Sequence, residues 1–312
     1  MSTAATVTAV TELAGGVRGL VLAAEDGRDL PSWEPGAHVD LVLPSGLVRQ
    51  YSLCGDPGDL SSYEIAVLRE PESRGGSREV HEALTEGARI AIDGPRNRFP
   101  LVPAKEYLFL AGGIGITPLL PMVVEAQRRG ARWRLVYGGR SRASMAFLHR
   151  LEQWTSAEVW PQEEVGLLDL PLLITTTGEE TVYCCGPGAL LDAVSARCAE
   201  VGRSADLHME RFGAVEDVRG RGGATFQVQV GVGGPVLDVG PDASILQTLL
   251  DSGHDVLFSC EEGTCGSCET TVLEGEVDHR DGLLTDAERA AGSMLICVSR
   301  SRSDRLVLEL EG

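Results

Sequence analysis

Four cysteines near the C-terminal end of the chain constrain its fold most strongly. Cys260, Cys265 and Cys268 follow a C-x4-C-x2-C spacing, and 28 residues separate Cys268 from Cys297. Four thiolates hold a [2Fe–2S] cluster, and this spacing is the plant-type one. Structural zinc is the alternative, but zinc sites usually pair two C-x2-C units or add histidines. The pattern therefore predicts a [2Fe–2S] centre with these four ligands.

Length and charge narrow the class of protein. The 312 residues predict two or three domains, and the formal net charge of −19 disfavours nucleic acid as a partner. Neither a signal peptide nor a membrane-spanning apolar run is recognised, so a cytoplasmic location is expected. From Phe226 to the end there are 16 acidic and 5 basic residues. This acidic end is interpreted either as a solubilising surface or as a surface that docks on a basic partner.

Changes in pattern divide the chain into domains. Residues 1–102 alternate apolar and polar between Gly and Pro turns, which predicts an antiparallel β-barrel. Residues 103–212 alternate strands and helices, which predicts an α/β domain with a parallel sheet. Glycine-rich residues 213–225 predict a linker, and residues 226–312 form the cysteine-bearing domain. Helices are predicted over 77–84, 119–129, 143–154, 189–201 and 244–251.

Two short segments of the predicted barrel suit a flavin. Residues 49–52 read RQYS, in which Arg49 can pair with a phosphate, Tyr51 can pack on the flavin ring and Ser52 can bond its polar edge. Residues 74–77 read RGGS and open a predicted helix, where backbone N–H groups and the helix dipole favour an anion. An ordinary strand and a simple N-cap are the alternatives. The two segments together favour a flavin phosphate site.

The second domain carries the pattern of a nicotinamide site. Residues 111–118 read AGGIGITP between a predicted strand and helix, so a pyrophosphate can approach bare backbone there. Pro118 stands near the place of the third Rossmann glycine, and Arg140 follows the next strand where an NAD site would carry an acidic residue. Another strand ends at Cys185, on the same predicted edge of the sheet. A small core thiol is the alternative for Cys185.

These motifs, in this order along nearly the whole chain, resemble the phthalate dioxygenase reductase family. The resemblance implies a flavin barrel, a nicotinamide domain and a C-terminal ferredoxin domain with the α+β β-grasp fold. It implies FMN and a [2Fe–2S] cluster as cofactors, and NADH as the coenzyme. NADPH stays open because Arg140 and Arg142 would also suit a 2′-phosphate. Hydride would pass from NADH to FMN, and single electrons would leave through the cluster to a Rieske-type oxygenase or a P450.

The resemblance also implies individual site residues. The expected flavin contacts are Arg49, Tyr51, Ser52, Ala66, Val67, Gly75, Gly76, Ser77 and Phe212. The expected nicotinamide contacts are Gly113, Gly115, Thr117, Pro118, Arg140, Cys185, Gly186 and Pro187. The residues expected around the reacting atoms are Ser52, Thr117, Cys185 and Glu210. For residues 210–212, a strand end packed on the barrel is the alternative.

Two other functions stay open from the sequence. One is a stand-alone NAD(P)H reductase of a soluble dye, iron or quinone. The other is a ferredoxin-like electron carrier whose first two domains are only structural, although the intact RxYS and GxG motifs argue against it. For the favoured function, the expected partner is a terminal oxygenase with a basic docking surface. Neither a nucleic acid nor a membrane is expected as a partner.

Overall fold

The computed structural model describes residues 2–71, 75–212, 222–258 and 260–310, apart from positions 262 and 265. The chain divides into two compact units, Met1–Glu210 and Arg211–Gly312. Most of the predicted linker, from 213 to 221, lies outside the described residues, so the domain boundaries stay predictions. No helix in the described part of the chain is long and apolar enough to span a membrane.

The first unit begins with a curled antiparallel sheet. Among the described residues its strands are β1 Thr3–Ala14, β2 Val17–Ala24, β3 Ala37–Val42, β4 Val48–Ser52, β5 Tyr63–Leu68 and β6 Arg89–Asn97. They lie in the order β4-β3-β6-β1-β2-β5, and a bridge between Leu53 and Ile65 joins the two ends. Alternate residues of β3, such as Val39 and Leu41, fill the barrel core, which helix α1 (Gly76–Ala83) covers with Val80.

A parallel sheet with helices follows in the same unit. Its described strands are β7 Glu106–Gly112, β8 Arg132–Gly139, β9 Ala157–Pro161, β10 Thr181–Gly186 and β11 Leu207–Arg211, in the order β11-β10-β7-β8-β9. Its helices are α2 Ile116–Arg128, α3 Leu148–Leu151, α4 Gln162–Val165, α5 Leu170–Leu173 and α6 Gly188–Glu200. Both faces of the sheet are buried. In β10, Tyr183 and Cys185 enter one core while Cys184 enters the other.

The second unit contains the cysteine-bearing domain. Its described strands are β12 Phe226–Val230, β13 Val236–Val239, β14 Glu269–Glu274, β15 Val277–Asp278, β16 Ser293–Leu295, β17 Arg300–Ser301 and β18 Arg305–Glu309. Its helices are α7 Ile245–Asp251 and α8 Asp286–Ala290. The main sheet has the order β13-β12-β18-β14-β16, with β12 and β18 parallel. Val228, Leu246 and Leu306 lie in its core.

The predicted fold class is confirmed, and four of the five predicted helices are present within a few residues of the expected bounds. The helix predicted over 143–154 is wrong. The chain forms a 3-10 turn at Arg142–Ser144 and later the single turn α3. Phe147, between them, has a left-handed φ of 62°, which a continuous α-helix cannot accommodate.

Candidate active site

Arg49 and the start of α1 form a cradle for an anion. A Cβ built on Gly76 would lie 2.5 Å from Arg49 Nε and 2.6 Å from its Cγ, so a larger residue at position 76 would displace the arginine side chain from this place. Gly75 has a φ of 97°, which also favours glycine. The N-cap position of α1 is Gly75 itself, which has no side chain that could occupy the space before the helix. A cation and helical N–H groups therefore converge, as a flavin phosphate requires.

Ser77 is not the N-cap of α1, so the alternative role considered for this residue is wrong. The N-cap position is Gly75, and the Ser77 hydroxyl accepts a hydrogen bond from the Glu70 N–H at 3.1 Å. This bond ties the first turn of α1 to the end of β5. Arg74, the first residue of the RGGS segment, lies outside the described residues.

Closure of the barrel brings the two expected flavin-binding strands together. The Leu53–Ile65 bridge places the end of β4, with Tyr51 and Ser52, beside β5, with Ala66 and Val67. Burial raises the pKa of Tyr51 above its ordinary value, which keeps the phenol protonated. Ala66 and Val67 are buried, and the Val67 carbonyl accepts a hydrogen bond from His81 Nε2 at 2.8 Å. The strands supply a phenol ring and a hydroxyl at one place, which fits a flavin ring.

A hydrogen bond between Ser52 and Glu210 is among those that link the barrel to the α/β domain. Ser52 Oγ donates to Glu210 Oε2 across 3.4 Å, although the two residues are 158 positions apart. Burial raises the pKa of Glu210 to about 8, while the bond from Ser52 opposes this shift. Burial, and then the charge of Glu210, raise the pKa of the Cys185 thiol well above its usual range. The structure thus brings Ser52, Cys185 and Glu210 together around one polar point.

Bare backbone lines the carboxyl edge of the parallel sheet. A Cβ on Gly115 would lie 2.3 Å from the Cys185 carbonyl oxygen, and one on Gly186 would lie 2.9 Å from Gly112 Cα. No described side chain caps the N-terminus of either α2 or α6. Glycine contacts therefore hold β7 and β10 close, and two helix N-termini point their N–H groups to this edge. This geometry suits a pyrophosphate.

The remaining nicotinamide residues differ in their surroundings. Thr117 is buried in the first turn of α2, where its hydroxyl donates to the Ile114 carbonyl at 3.0 Å. Pro118 is also buried in this turn, a position that tolerates the missing N–H. Gly113 has a φ of 55° and open space around its Cα. Pro187 is exposed at the start of α6.

Three of the four predicted cluster ligands lie in the described residues. Cys260, Cys268 and Cys297 are buried. Hydrogen bonding to Cys268, followed by burial, raises the pKa of Cys297 far above its usual range, while an N–H bond from Gly263 lowers it. Thr264 Oγ1 donates to Cys260 Sγ at 3.4 Å. Crowded sulfurs that receive hydrogen bonds fit an iron–sulfur cluster, because its iron ions offset the thiolate charge. Cys265 lies outside the described residues.

The tight loop requires glycine at defined points. Gly263 has a φ of 70°, and a Cβ there would lie 2.6 Å from Val298 Cγ2. Gly266 has a φ of 74°. Both values belong to the left-handed region that glycine adopts without strain.

Comparison with known proteins identifies the chain. Residues 231–302 match the 2Fe-2S iron-sulfur cluster binding domain family. The chain is 39% identical to tetrachlorobenzoquinone reductase of Sphingobium chlorophenolicum, over 98% of this chain and 97% of that protein. It is 41% identical to the carnitine monooxygenase reductase subunit of Escherichia coli (strain K12), over 97% of each chain. It is 43% identical to vanillate O-demethylase oxidoreductase of Pseudomonas sp. (strain HR199 / DSM 7063), over 91% of this chain and 92% of that protein.

Solved structures give the same result. Phthalate dioxygenase reductase, described as a modular structure for electron transfer from pyridine nucleotides to [2Fe–2S], matches with 35% identity and a TM-score of 0.73, over 99% of this chain and 98% of that chain. This chain belongs to the phthalate dioxygenase reductase family. An intact type IV self-sufficient cytochrome P450 monooxygenase matches with 42% identity and a TM-score of 0.89. The match covers 99% of this chain and 41% of that longer one.

Membership in the phthalate dioxygenase reductase family confirms the main functional predictions. The chain is an oxidoreductase of the kind that serves oxygenase systems, with a flavin, a nicotinamide coenzyme and a [2Fe–2S] cluster. The roles assigned to individual residues stay predictions. Phe212 belongs to the second unit and is exposed, so its predicted stacking on the flavin also stays a prediction.

Sequence reasoning missed one acidic residue of this reductase's nicotinamide domain. Arg142 Nε donates to both carboxylate oxygens of Glu164, at 2.9 and 3.3 Å. The Glu163 N–H donates to the Arg140 carbonyl at 3.1 Å, which sets the start of α4 against the end of β8. Arg140 itself is exposed. A strand prediction over 157–161 would have placed Glu163 and Glu164 at the carboxyl edge of the sheet, because they directly follow β9, which extends the parallel sheet there.

Proposed function

We propose that this chain is the NADH-dependent reductase component of a two-part oxygenase. It holds FMN in the barrel and delivers single electrons from the [2Fe–2S] cluster to a terminal oxygenase with a basic docking surface. The Ser52–Glu210 hydrogen bond carries this proposal, because it sets the flavin-binding strand against the strand ends that bind the nicotinamide. Reactant positioning of this kind is the main contribution that a protein makes to cofactor chemistry.

The chain's own residues bind and orient the two reactants. When bound, the flavin supplies the chemistry that converts a two-electron hydride transfer into single-electron transfers. Arg49 and the first turn of α1 hold its phosphate, and Ser52 bonds its polar edge. One guanidinium and one helix N-terminus suit a single phosphate group, which supports FMN over FAD.

Glu210 keeps charge out of the reaction site. Its pKa of about 8 means that most of the carboxyl is protonated at pH 7. A neutral carboxyl can hydrogen-bond a nicotinamide amide without placing a buried negative charge beside the transferring hydride. Cys185, whose thiol is also held protonated by burial, adds a small neutral wall at the same point.

The surroundings of Arg142 support NADH over NADPH. The residues after β8 are the ones that meet the adenosine ribose in folds of this type. There the Arg142 guanidinium is bonded to Glu164, so its charge is already offset. A 2′-phosphate would meet the Glu164 carboxylate at this position, whereas a ribose hydroxyl can donate to it.

Charge supports a basic protein partner. From residue 222 to 279 the chain carries ten Asp and Glu residues and no Lys or Arg. This segment includes the three-cysteine loop. Complementary charge speeds and orients the encounter of two proteins, so a partner with Lys and Arg around its acceptor site fits best.

An anaerobic titration tests the reductase proposal. NADH is added to purified holoprotein while the visible spectrum is recorded, and the flavin is extracted to distinguish FMN from FAD. We expect NADH to bleach the flavin band and then the cluster absorbance. A flavin-loaded protein whose spectrum NADH does not change would overturn the proposal.

A stand-alone quinone reductase is the second candidate. The relative named tetrachlorobenzoquinone reductase is 39% identical over 98% of this chain, which favours this activity specifically. The two candidates differ in their best acceptor. A kcat/KM for a chlorinated benzoquinone well above that for an oxygenase component would favour the second candidate.

A further inference from the structure

Two large apolar side chains stand exposed directly before the cluster loop. Leu257 is 83% exposed and Phe258 is 44% exposed, whereas Cys260, two residues further on, is buried. Two residues span at most about 7 Å of backbone, so Phe258 lies beside the cluster ligand. Neighbouring apolar side chains left in water commonly mark an interaction site.

The charges around this pair share one sign. Asp255 and Glu261 are exposed on either side of it along the chain. Because residues 222–279 contain no Lys or Arg, no basic side chain of that segment offsets them. An apolar centre with a charged rim is the usual anatomy of a protein–protein interface. An acidic rim repels nucleic acids and anionic membranes, so it selects a basic protein.

We propose that Leu257 and Phe258 form the centre of the surface on which the electron-accepting protein docks, with Asp255 and Glu261 in its rim. The fitting partner presents an apolar patch beside its own redox centre, surrounded by Lys and Arg. Docking there brings the acceptor close to the cluster, and electron transfer slows steeply with distance. This inference rests on the proposed function, since it names the place where electrons leave.

The test compares a protein acceptor with a small one. Cytochrome c serves as the basic protein probe and ferricyanide as the small probe, both with NADH and holoprotein. For Leu257→Ala, Phe258→Ala and the double variant, we expect the KM for cytochrome c to rise about 5- to 30-fold, as for interface hot spots. Ferricyanide turnover stays within about twofold of wild type, because a small acceptor does not need the apolar contact.

Matched variants separate docking from general effects. Leu273 has the same exposure as Phe258, 44%, but lies five residues beyond Cys268 on β14, so Leu273→Ala leaves both acceptors unaffected. Asp255→Asn with Glu261→Gln weakens the salt dependence of the cytochrome c KM. If Phe258→Ala loses the cluster spectrum, Leu257→Gln carries the test, since so exposed a side chain contributes little to packing.

The outcomes distinguish the two proposals. Wild-type holoprotein in which NADH reduces neither acceptor overturns the proposed function. A double variant with a normal cluster spectrum, normal ferricyanide turnover and an unchanged cytochrome c KM overturns the docking surface alone. The docking surface is also overturned if Leu273→Ala raises the KM as much as Leu257→Ala.

Discussion

The coenzyme preference of this reductase is predicted to depend on Glu164. In Glu164→Gln, a neutral amide replaces the carboxylate that pairs with Arg142, so the Arg142 guanidinium can bind a 2′-phosphate. The side chains of Arg142 and Glu164 are 54% and 44% exposed, so water screens their attraction. Such an exposed pair contributes about 0.2–1 kcal/mol, and removing the like charge facing the phosphate contributes about 1 kcal/mol. The two effects together, about 1.2–2 kcal/mol, predict a gain of about 7- to 30-fold in kcat/KM for NADPH.

The assay measures both coenzymes and a binding probe that needs no turnover. Steady-state kcat/KM is determined for NADPH and NADH with ferricyanide, and the Kd of 2′,5′-ADP is compared with that of 5′-AMP. We expect Glu164→Gln to tighten only 2′,5′-ADP. Glu163→Gln is the matched control, because Glu163 contacts Arg140 only through its backbone N–H. Arg142→Gln added to Glu164→Gln should remove most of the gain.

Two results would refute the role of this ion pair. If Glu164→Gln and Glu163→Gln raise the NADPH kcat/KM equally, only the net charge of α4 matters and the Arg142 pair has no special role. If neither variant changes it, the ribose 2′ position does not face this pair.

Three further predictions concern the redox site and its glycines. Cys297→Ser, like Cys265→Ser, should abolish electron delivery to cytochrome c yet leave NADH bleaching of the flavin nearly intact. A flavin-loaded variant that loses both the electron delivery and the flavin bleaching contradicts the sequential path. Glu210 has a pKa raised to about 8, so protonation favours the folded state and wild-type stability falls as pH rises from about 4.5 through 8. The Tm of Glu210→Gln should not show this fall with pH. Parallel plots of Tm against pH for the variant and the wild type would contradict the prediction. Gly115→Ala should lower the free energy of unfolding in urea by about 1–3 kcal/mol, because the added Cβ meets backbone atoms. Gly240→Ala is the control and should not lower it, because a Cβ there meets open space.

The cysteine loop and the glycine turns could be predicted from the sequence because their chemistry is local. Three ligands and their glycines lie within nine residues, and the nicotinamide turn lies within eight. Spacing alone then fixes which backbone groups can approach the bound group. The same holds for Arg49 and Gly76, although only the structure shows that the Arg49 side chain packs directly against Gly76.

The parts that sequence reasoning missed depend on long-range packing. The Ser52–Glu210 bond joins strands of different sheets, so no periodicity reveals it. The Arg142–Glu164 pair depends on β9, a short strand with a weak pattern. The helix predicted over 143–154 failed at Phe147, whose buried ring takes precedence over the local helical preference.

The order in which the two redox centres are reduced tests the proposed electron path most directly. Holoprotein is mixed anaerobically with one equivalent of NADH in a stopped-flow instrument, and the flavin and cluster absorbances are followed in wild type and Cys297→Ser. We predict that the flavin band bleaches first in both proteins and that cluster reduction follows only in wild type. Cluster reduction in flavin-free protein, or absence of flavin bleaching in loaded wild type, would contradict this path.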